Sequence, residues 1–337
     1  MQEKIKGAMF HLGRGPFRRD YNTEPLPFDE ASWETMRNAC VTAGFNTVFL
    51  DINEGLEYGS HPEIAIEGAW TRLKMRSEIR KFRECGITLI PKLNFSAVHD
   101  FWLGKYERLL STPEYYRVCR DLILEVAELF RDAPYFHLGM DEEDVRHANR
   151  PTEELVAFRQ GALLWHDMNY LLDTVRDTGK TPVIWSSFAV HRYEEFRKNV
   201  FPEDLVVMYY YYHGVRPEHW IRTDSREDYY NYYYVNGDYA GQGMEYVERD
   251  DPFYSNFFKY ALKGVKEDGY DAILCCSNFY KHEYNEVDVV EMAVNDWPEE
   301  KLKGIITAPW KMSNAASCEC NVDGVQRLAR AFEKFGY

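Results

Sequence analysis

Eight times along this chain a short run of apolar, β-branched or aromatic residues is followed by a stretch with helical patterning, and this alternation constrains the fold more than any single motif. The runs are Ala8–Leu12, Thr47–Ile52, Thr88–Leu93, Tyr135–Gly139, Pro182–Ser186, Leu205–Tyr211, Ala272–Ser277 and Gly304–Ala308. They are nearly continuous in apolar character, as strands buried on both faces of a parallel sheet must be. Helices are expected at Glu30–Ala43 (opened by Asp29, stopped by Gly44), Arg76–Cys85 (stopped by Gly86), Pro113–Arg131 (capped by Thr112) and Glu153–Thr178 (after Thr152, before Gly179). Shorter helices fit Tyr193–Asn199, Tyr254–Glu267, Glu286–Asn295 and Val325–Lys334. Eight strand-then-helix units predict a (β/α)8 TIM barrel, a single α/β domain over residues 1–337. A doubly wound open sheet would need a phosphate-binding turn after its first strand, and Gly13-Arg14-Gly15-Pro16 is too short and wrongly spaced for one. The Tyr-rich stretch around 209–252 reads as an elaborated βα-loop, whose Tyr209–Tyr212 run must alternate in and out if it is a strand.

Charge narrows the partners. Forty basic residues against 55 acidic ones leave a net −15, which argues against nucleic acid and against anionic membranes. No segment approaches the ~18 consecutive apolar residues of a membrane span. The start, Met1 to Phe10, lacks the apolar centre of a signal peptide, so the expectation is a cytoplasmic protein; a trimmed leader would leave no trace here. Seven cysteines, without a convincing zinc half-site among them, read as reduced thiols. An exposed aromatic loop such as Tyr229–Tyr239 would suit capping a neighbour's site in a homodimer.

Barrels of this kind place their chemistry at the C-terminal ends of the strands. Those ends offer Arg14; Asp51 and Glu54; Lys92, Asn94 and His99; Asp141 and Glu142; Trp185; Tyr210 to His213; Tyr280 and His282; Trp310 and Lys311. The fourth end stands out, because Tyr135-Phe136-His137-Leu138-Gly139-Met140 runs straight into Asp141-Glu142-Glu143-Asp144. Four adjacent carboxylates make a poor core and a good active site, and paired carboxylates are the usual equipment for cleaving glycosidic bonds. Crowding should raise one pKa of the Asp141–Glu142 pair and so supply a proton donor near neutral pH. Glu143 and Asp144 read instead as a helix cap, and His137 as a buried residue shaping the site. His191, His213 and His282 show no metal-ligand spacing, and no Gly-x-Ser-x-Gly elbow is present, so neither a metal nor another cofactor is expected.

The spacing His137-x-Gly139-x-Asp141-Glu142 resembles the signature of glycoside hydrolase family 20, the β-N-acetylhexosaminidases. Other segments agree in family order: Phe10 to Arg14 in its arginine, Gly44 to Val48 at the second strand, Cys85 to Pro91 at the third. The resemblance implies a carbohydrate substrate and a substrate-assisted, retaining mechanism without a cofactor. Glu142 would be the general acid/base. Asp141 would orient the sugar's 2-acetamido group, whose carbonyl oxygen attacks the anomeric carbon. It further implies that Arg14 binds sugar hydroxyls, Tyr280 bonds the acetamido group and Trp310 lines its pocket, with Trp185, also a candidate for substrate binding, where the fifth strand commonly offers a Trp. The chain departs from the family pattern at His11, where an Asp is usual, and at Lys92 and Asn94, which replace a Glu and an Asp. His99 falls one residue late, and Lys311-Met312 stands where Ser-Glu is frequent. These departures keep two other readings open. One is a glycosidase on a non-acetamido or anionic sugar, with Asp51 or Glu54 as second carboxylate and Lys92 with Lys311 as counter-charge. The other is a non-catalytic sugar-binding protein on the same scaffold.

Overall fold

The computed structural model describes residues 3–13, 25–141, 143, 158–212, 260–279 and 283–337. Eight parallel strands close into a barrel in chain order. They are β1 (Ile5–His11), β2 (Thr47–Asp51), β3 (Thr88–Lys92), β4 (Tyr135–His137), β5 (Thr181–Trp185), β6 (Val206–Tyr210), β7 (Asp271–Cys276) and β8 (Leu302–Thr307). The seam closes where β8 pairs with β1, Gly304 opposite Ile5 and Thr307 opposite Ala8. Every strand expected from the sequence is present, its ends displaced by at most three residues. The fold is the expected (β/α)8 barrel.

The helices are α1 (Glu30–Thr42), α2 (Arg72–Glu84), α3 (Pro113–Leu129), α4 (Gly161–Arg176), α5 (Ser187–His191), α6 (Tyr193–Asn199), α7 (Asn285–Asn295) and α8 (Cys318–Phe335). Side-chain caps fix several starts. Asp29 accepts the backbone N–H of Ser32 at 2.8 Å and its hydroxyl at 2.6 Å. Thr112 accepts from Tyr115 N–H at 3.2 Å, with Pro113 at the first helical position, where no N–H is needed. Thr71 caps α2 through Lys74 N–H at 3.1 Å, which is why this helix begins before the expected Arg76.

Three helix expectations change. The proposed Glu153–Thr178 is helical only from Gly161: Gln160 is extended and Gly161 has φ 56°, while 151–157 lie outside the described residues. The last helix starts at Cys318, a turn and more before Val325. Of Tyr254–Glu267, residues 260–263 are helical and Gly264–Asp268 widens into a π-type turn; 254–259 lie outside the described residues. So does the Tyr-rich loop beyond Tyr212.

Between sheet and helices the packing is rich in aromatic rings. Trp33 of α1 meets Phe10, Trp70 and Phe82 with ring centroids 5.2–6.1 Å apart. At the C-terminal ends of β1 to β4 the chemistry changes. His11, Asp51, Lys92 and His137 are register partners across these four strands, a continuous polar row, and none is more than 2% exposed.

Candidate active site

Strand β4 is three residues long because the chain turns sharply after it. Gly139 has φ 73° and Met140 φ 59°, two consecutive left-handed residues, one of them bearing a side chain. Only glycine fits at 139: a Cβ there would lie 2.0 Å from Asn94 Oδ1. The turn delivers Asp141 to the segment after β3. Its Oδ1 accepts from Ser96 Oγ at 2.6 Å and Asn94 Nδ2 at 3.2 Å, while Oδ2 lies 3.3 Å from His99 Nε2. Burial works to raise the Asp141 pKa, but the His99 charge and hydrogen bond, then Ser96 and Lys92, prevail and hold it below the carboxylate range. Asp141 is therefore an anion at neutral pH. It is not the carboxyl that crowding was expected to raise.

The polar row forms the floor beside it. Lys92 donates to Asp51, and His11 Nδ1 lies 3.0 Å from the same carboxylate oxygen. Burial opposes ionisation of Asp51, but the Lys92 charge and the His11 hydrogen bond bring its pKa down to about 2. His137 is pushed far below the ordinary imidazole range by burial and by the Lys92 charge, so it is neutral. Its Nδ1 accepts the Gly139 N–H at 2.9 Å, which puts the imidazole proton on Nε2, a buried donor with no partner among the described residues.

This geometry removes Lys92 from the suggested counter-charge for an anionic sugar, because it is wholly buried and its charge is matched by Asp51. Lys311 is half-buried, with Nζ 5.2 Å from the Phe279 ring centroid. The same pairing removes Asp51 as a second catalytic carboxylate. Glu54, in the turn after β2, is 1% exposed.

An aromatic wall stands over the floor. Trp185 and Trp310 have centroids 5.5 Å apart, and Lys92 Nζ lies 6.0 Å from both. Trp185 also meets His137 at 4.7 Å and Tyr210 at 5.5 Å, and Tyr212 meets Trp310 at 6.0 Å. Tyr209 turns away to Trp297, so the Tyr run does alternate, with Tyr210 and Tyr212 on the tryptophan side. Flat CH faces stack on rings of this kind. Asp141 is held by Asn94 and Ser96, two and four residues beyond Lys92, which places its carboxylate next to the floor. Arg14, Glu142 and Tyr280, like His213 and His282, lie outside the described residues.

Two features escaped the sequence. Asn53, Met140 and Trp310, at the ends of β2, β4 and β8, are non-glycine residues with φ 42°, 59° and 56°. Backbone strain of this sort gathers at functional sites, and no residue-type signal announces it. The second is Arg159, fully buried and bonded to Glu143. Glu143, expected to cap a helix, accepts instead from Arg159 and from Ala97 N–H at 2.7 Å. Arg159 was hidden inside an over-long helix expectation.

None of the seven cysteines is joined in a disulfide. Among the described residues no group of three or more His, Cys, Asp or Glu is arranged to hold a metal ion, and no helix is long and apolar enough to cross a membrane.

No family model and no curated protein sequence matches the chain. Solved structures do. An exo-β-N-acetylglucosaminidase of glycoside hydrolase family 20 from Vibrio harveyi superposes with TM-score 0.60 at 16% identity, over 98% of this chain and 54% of its own. A β-N-acetylhexosaminidase from Bacteroides fragilis gives 0.63 at 12% identity, over 99% of this chain and 68% of its own. The family 20 β-N-acetylhexosaminidase from Streptomyces coelicolor gives 0.57 at 15%, over 96% and 64%. The chain thus spans between about half and two-thirds of the length of these proteins, and identities this low speak to the fold.

Proposed function

We propose that this chain is a glycoside hydrolase that removes terminal β-linked N-acetylhexosamine by a substrate-assisted, retaining route. The observation that carries the reading is Asp141: a carboxylate 13% exposed, held ionised by His99, Ser96 and Asn94, on the rim that also carries the paired rings of Trp185 and Trp310. An anion there has little use as a proton donor. It suits accepting the N–H of an acetamido group and stabilising the positive charge that spreads over that group as its carbonyl oxygen attacks the anomeric carbon. The attack forms the carbon–oxygen bond of a cyclic oxazolinium while the glycosidic bond breaks. Glu142, next in the chain, gives its proton to the departing oxygen, then takes one from the water that reopens the ring. The side of attack on the anomeric carbon is reversed twice, so configuration is retained.

The solved structures that superpose on the chain are named for this sugar class, which supports the reading at the level of scaffold. The floor supports it chemically: the Lys92 charge is matched by Asp51 and His137 is neutral, which suits an uncharged acetamido group.

The test is release of nitrophenol from the β-N-acetylglucosaminide and the β-N-acetylgalactosaminide by wild type, Glu142→Gln and Asp141→Asn. The expected result is turnover by wild type, collapse in both variants, and inhibition by a thiazoline analogue of the cyclised acetamido group. A folded wild type inert on both sugars would count against the reading.

A further inference from the structure

Ser96 is wholly buried, and its hydroxyl has two acceptors within reach, Asp141 Oδ1 at 2.6 Å and Asn94 Oδ1 at 2.8 Å. One hydroxyl proton serves one of them at a time. Which one it serves depends on where the Ser96 Cα–Cβ bond points, and the backbone there is pinned on both sides. In the peptide plane before Ser96, Phe95 O accepts from Arg159 Nη1 at 3.1 Å and Ser96 N–H donates to Asn94 Oδ1 at 3.1 Å. In the plane after it, Ser96 O accepts the His99 N–H at 2.9 Å and Ala97 N–H donates to Glu143 Oε1 at 2.7 Å. Peptide planes are rigid, so these four bonds, each made by a backbone atom of one of the planes, fix the direction of the serine side chain.

Two of the four bonds come from one ion pair, because Arg159 Nη1 also donates to Glu143 Oε1, the atom that takes the Ala97 N–H. The guanidinium is 1% exposed and anchored from its far side: Nε donates to Asp167 Oδ2 at 3.0 Å and Nη2 to Tyr115 OH at 2.6 Å. Asp167 in turn accepts from Ser111 Oγ at 2.6 Å and from the Tyr116 hydroxyl. The clamp is thus rooted in α3 and α4 and grips the segment after β3.

We propose that Arg159 and Glu143 are positioning residues that act on Asp141 through Ser96, keeping its hydroxyl on the carboxylate rather than on Asn94. This rests on the reading of Asp141 as the group that orients the acetamido substituent. With Ser96 and Asn94 Nδ2 on Oδ1 and His99 beside Oδ2, the carboxylate is held in one orientation. A planar, forked cation suits the clamp, because its hydrogen bonds fix angle as well as distance, where an ammonium offers a single point.

The experiment measures, by calorimetry, the dissociation constant of a thiazoline analogue of the cyclised acetamido group, and kcat/KM on a nitrophenyl N-acetylhexosaminide. The proteins are wild type, Ser96→Ala, Arg159→Lys and the double variant. Calorimetry reads the affinity of the molecules that bind, so a variant that merely folds less completely keeps the wild-type constant. Ser96→Ala is expected to weaken the analogue roughly tenfold, the worth of a hydrogen bond to a charged group. Arg159→Lys keeps the cation and loses the fork, and should weaken it about threefold or more. In both, kcat/KM falls in step. The double variant should bind as Ser96→Ala does, because the clamp then has no hydroxyl to direct. Losses that multiply would show Arg159 acting by another route, and wild-type affinity in Arg159→Lys would show it not acting at all; either result overturns the proposal. If Arg159→Lys loses its cooperative thermal transition, Glu143→Gln takes its place, since the amide still meets Ala97 N–H but lacks the charge that holds Arg159. A wild type that neither binds the analogue nor turns over the substrate would remove the proposed function, and this inference with it. Binding and turnover by wild type leave the variants to judge the clamp alone.

Discussion

Asp51 and Lys92 are register partners on adjacent strands, joined through their side chains, and neither is more than 1% exposed. An ion pair so deeply buried adds little net stability over well-packed apolar residues, yet removing one partner strands a charge and costs about 3–5 kcal/mol. Asp51→Asn and Lys92→Met are each expected to lose that much in urea unfolding at neutral pH, and the double variant less than the sum. Additive losses would show that the two side chains are not coupled. Because the folded Asp51 pKa is depressed to about 2 from its ordinary 3.8, its contribution is complete above that ordinary value and disappears as pH falls through the lower one.

The fourth strand end makes a sharper demand. Gly139→Ala puts a Cβ 2.0 Å from Asn94 Oδ1 at a residue with φ 73°. Asn94 must move, and Asp141 then loses its Asn94 hydrogen bond. The variant should be destabilised by about 2 kcal/mol or more, and the activity of its folded fraction should fall too. Thermal unfolding with active-site titration checks both. A stable, fully active Gly139→Ala would mean that the turn is not what places Asp141.

How far the sequence foretold this site follows from what each part depends on. Strands and their order were readable because burial on both faces leaves an unbroken apolar signature, and a strand end follows from where that run stops. Reading the residues after each strand accordingly found Asp51, Lys92, Asn94, His99, Asp141, Trp185 and Trp310. What those residues do to one another was not readable. Lys92 and Asp51 are 41 positions apart and meet only through strand register, so sequence alone presents Lys92 as a free cation at the rim. Arg159 is hidden for a local reason: the helical pattern of the sequence continues back through Gln160 and Gly161, where the chain is extended and then left-handed. The strained φ angles of Met140 and Trp310 carry no compositional mark.

His99 offers a test through pH. Its charge and hydrogen bond are the main forces holding the Asp141 pKa down against burial. Replacing it in His99→Gln removes the cation, so the folded Asp141 pKa must climb, and the acid limb of kcat/KM on a nitrophenyl N-acetylhexosaminide must move to higher pH. A limb that stays in place would mean that the ionisation of Asp141 does not govern activity. A limb that moves to lower pH would contradict the electrostatic assignment.

Glu286 gives a stability prediction of opposite sign to Asp51. It lies in the first turn of α7, 1% exposed, with Oε1 unpartnered among the described residues and Oε2 3.7 Å from Arg327 Nη1. Burial, aided by the nearby Asp323 charge, pushes its pKa from 4.5 up to about 7 against a backbone hydrogen bond and Arg327. The folded protein thus holds a proton that the unfolded chain releases near pH 4.5. The favourable contribution is whole below that pH and is lost as pH rises through 7, by about 3 kcal/mol in total. Urea unfolding of wild type and Glu286→Gln at pH 5 and pH 8 isolates the effect. The amide keeps the shape and cannot ionise, so Glu286→Gln should gain on wild type between the two pH values and be the more stable protein at pH 8. An unchanged difference would mean that Glu286 ionises as easily in the folded barrel as in the unfolded chain, with Arg327 supplying all that burial takes away.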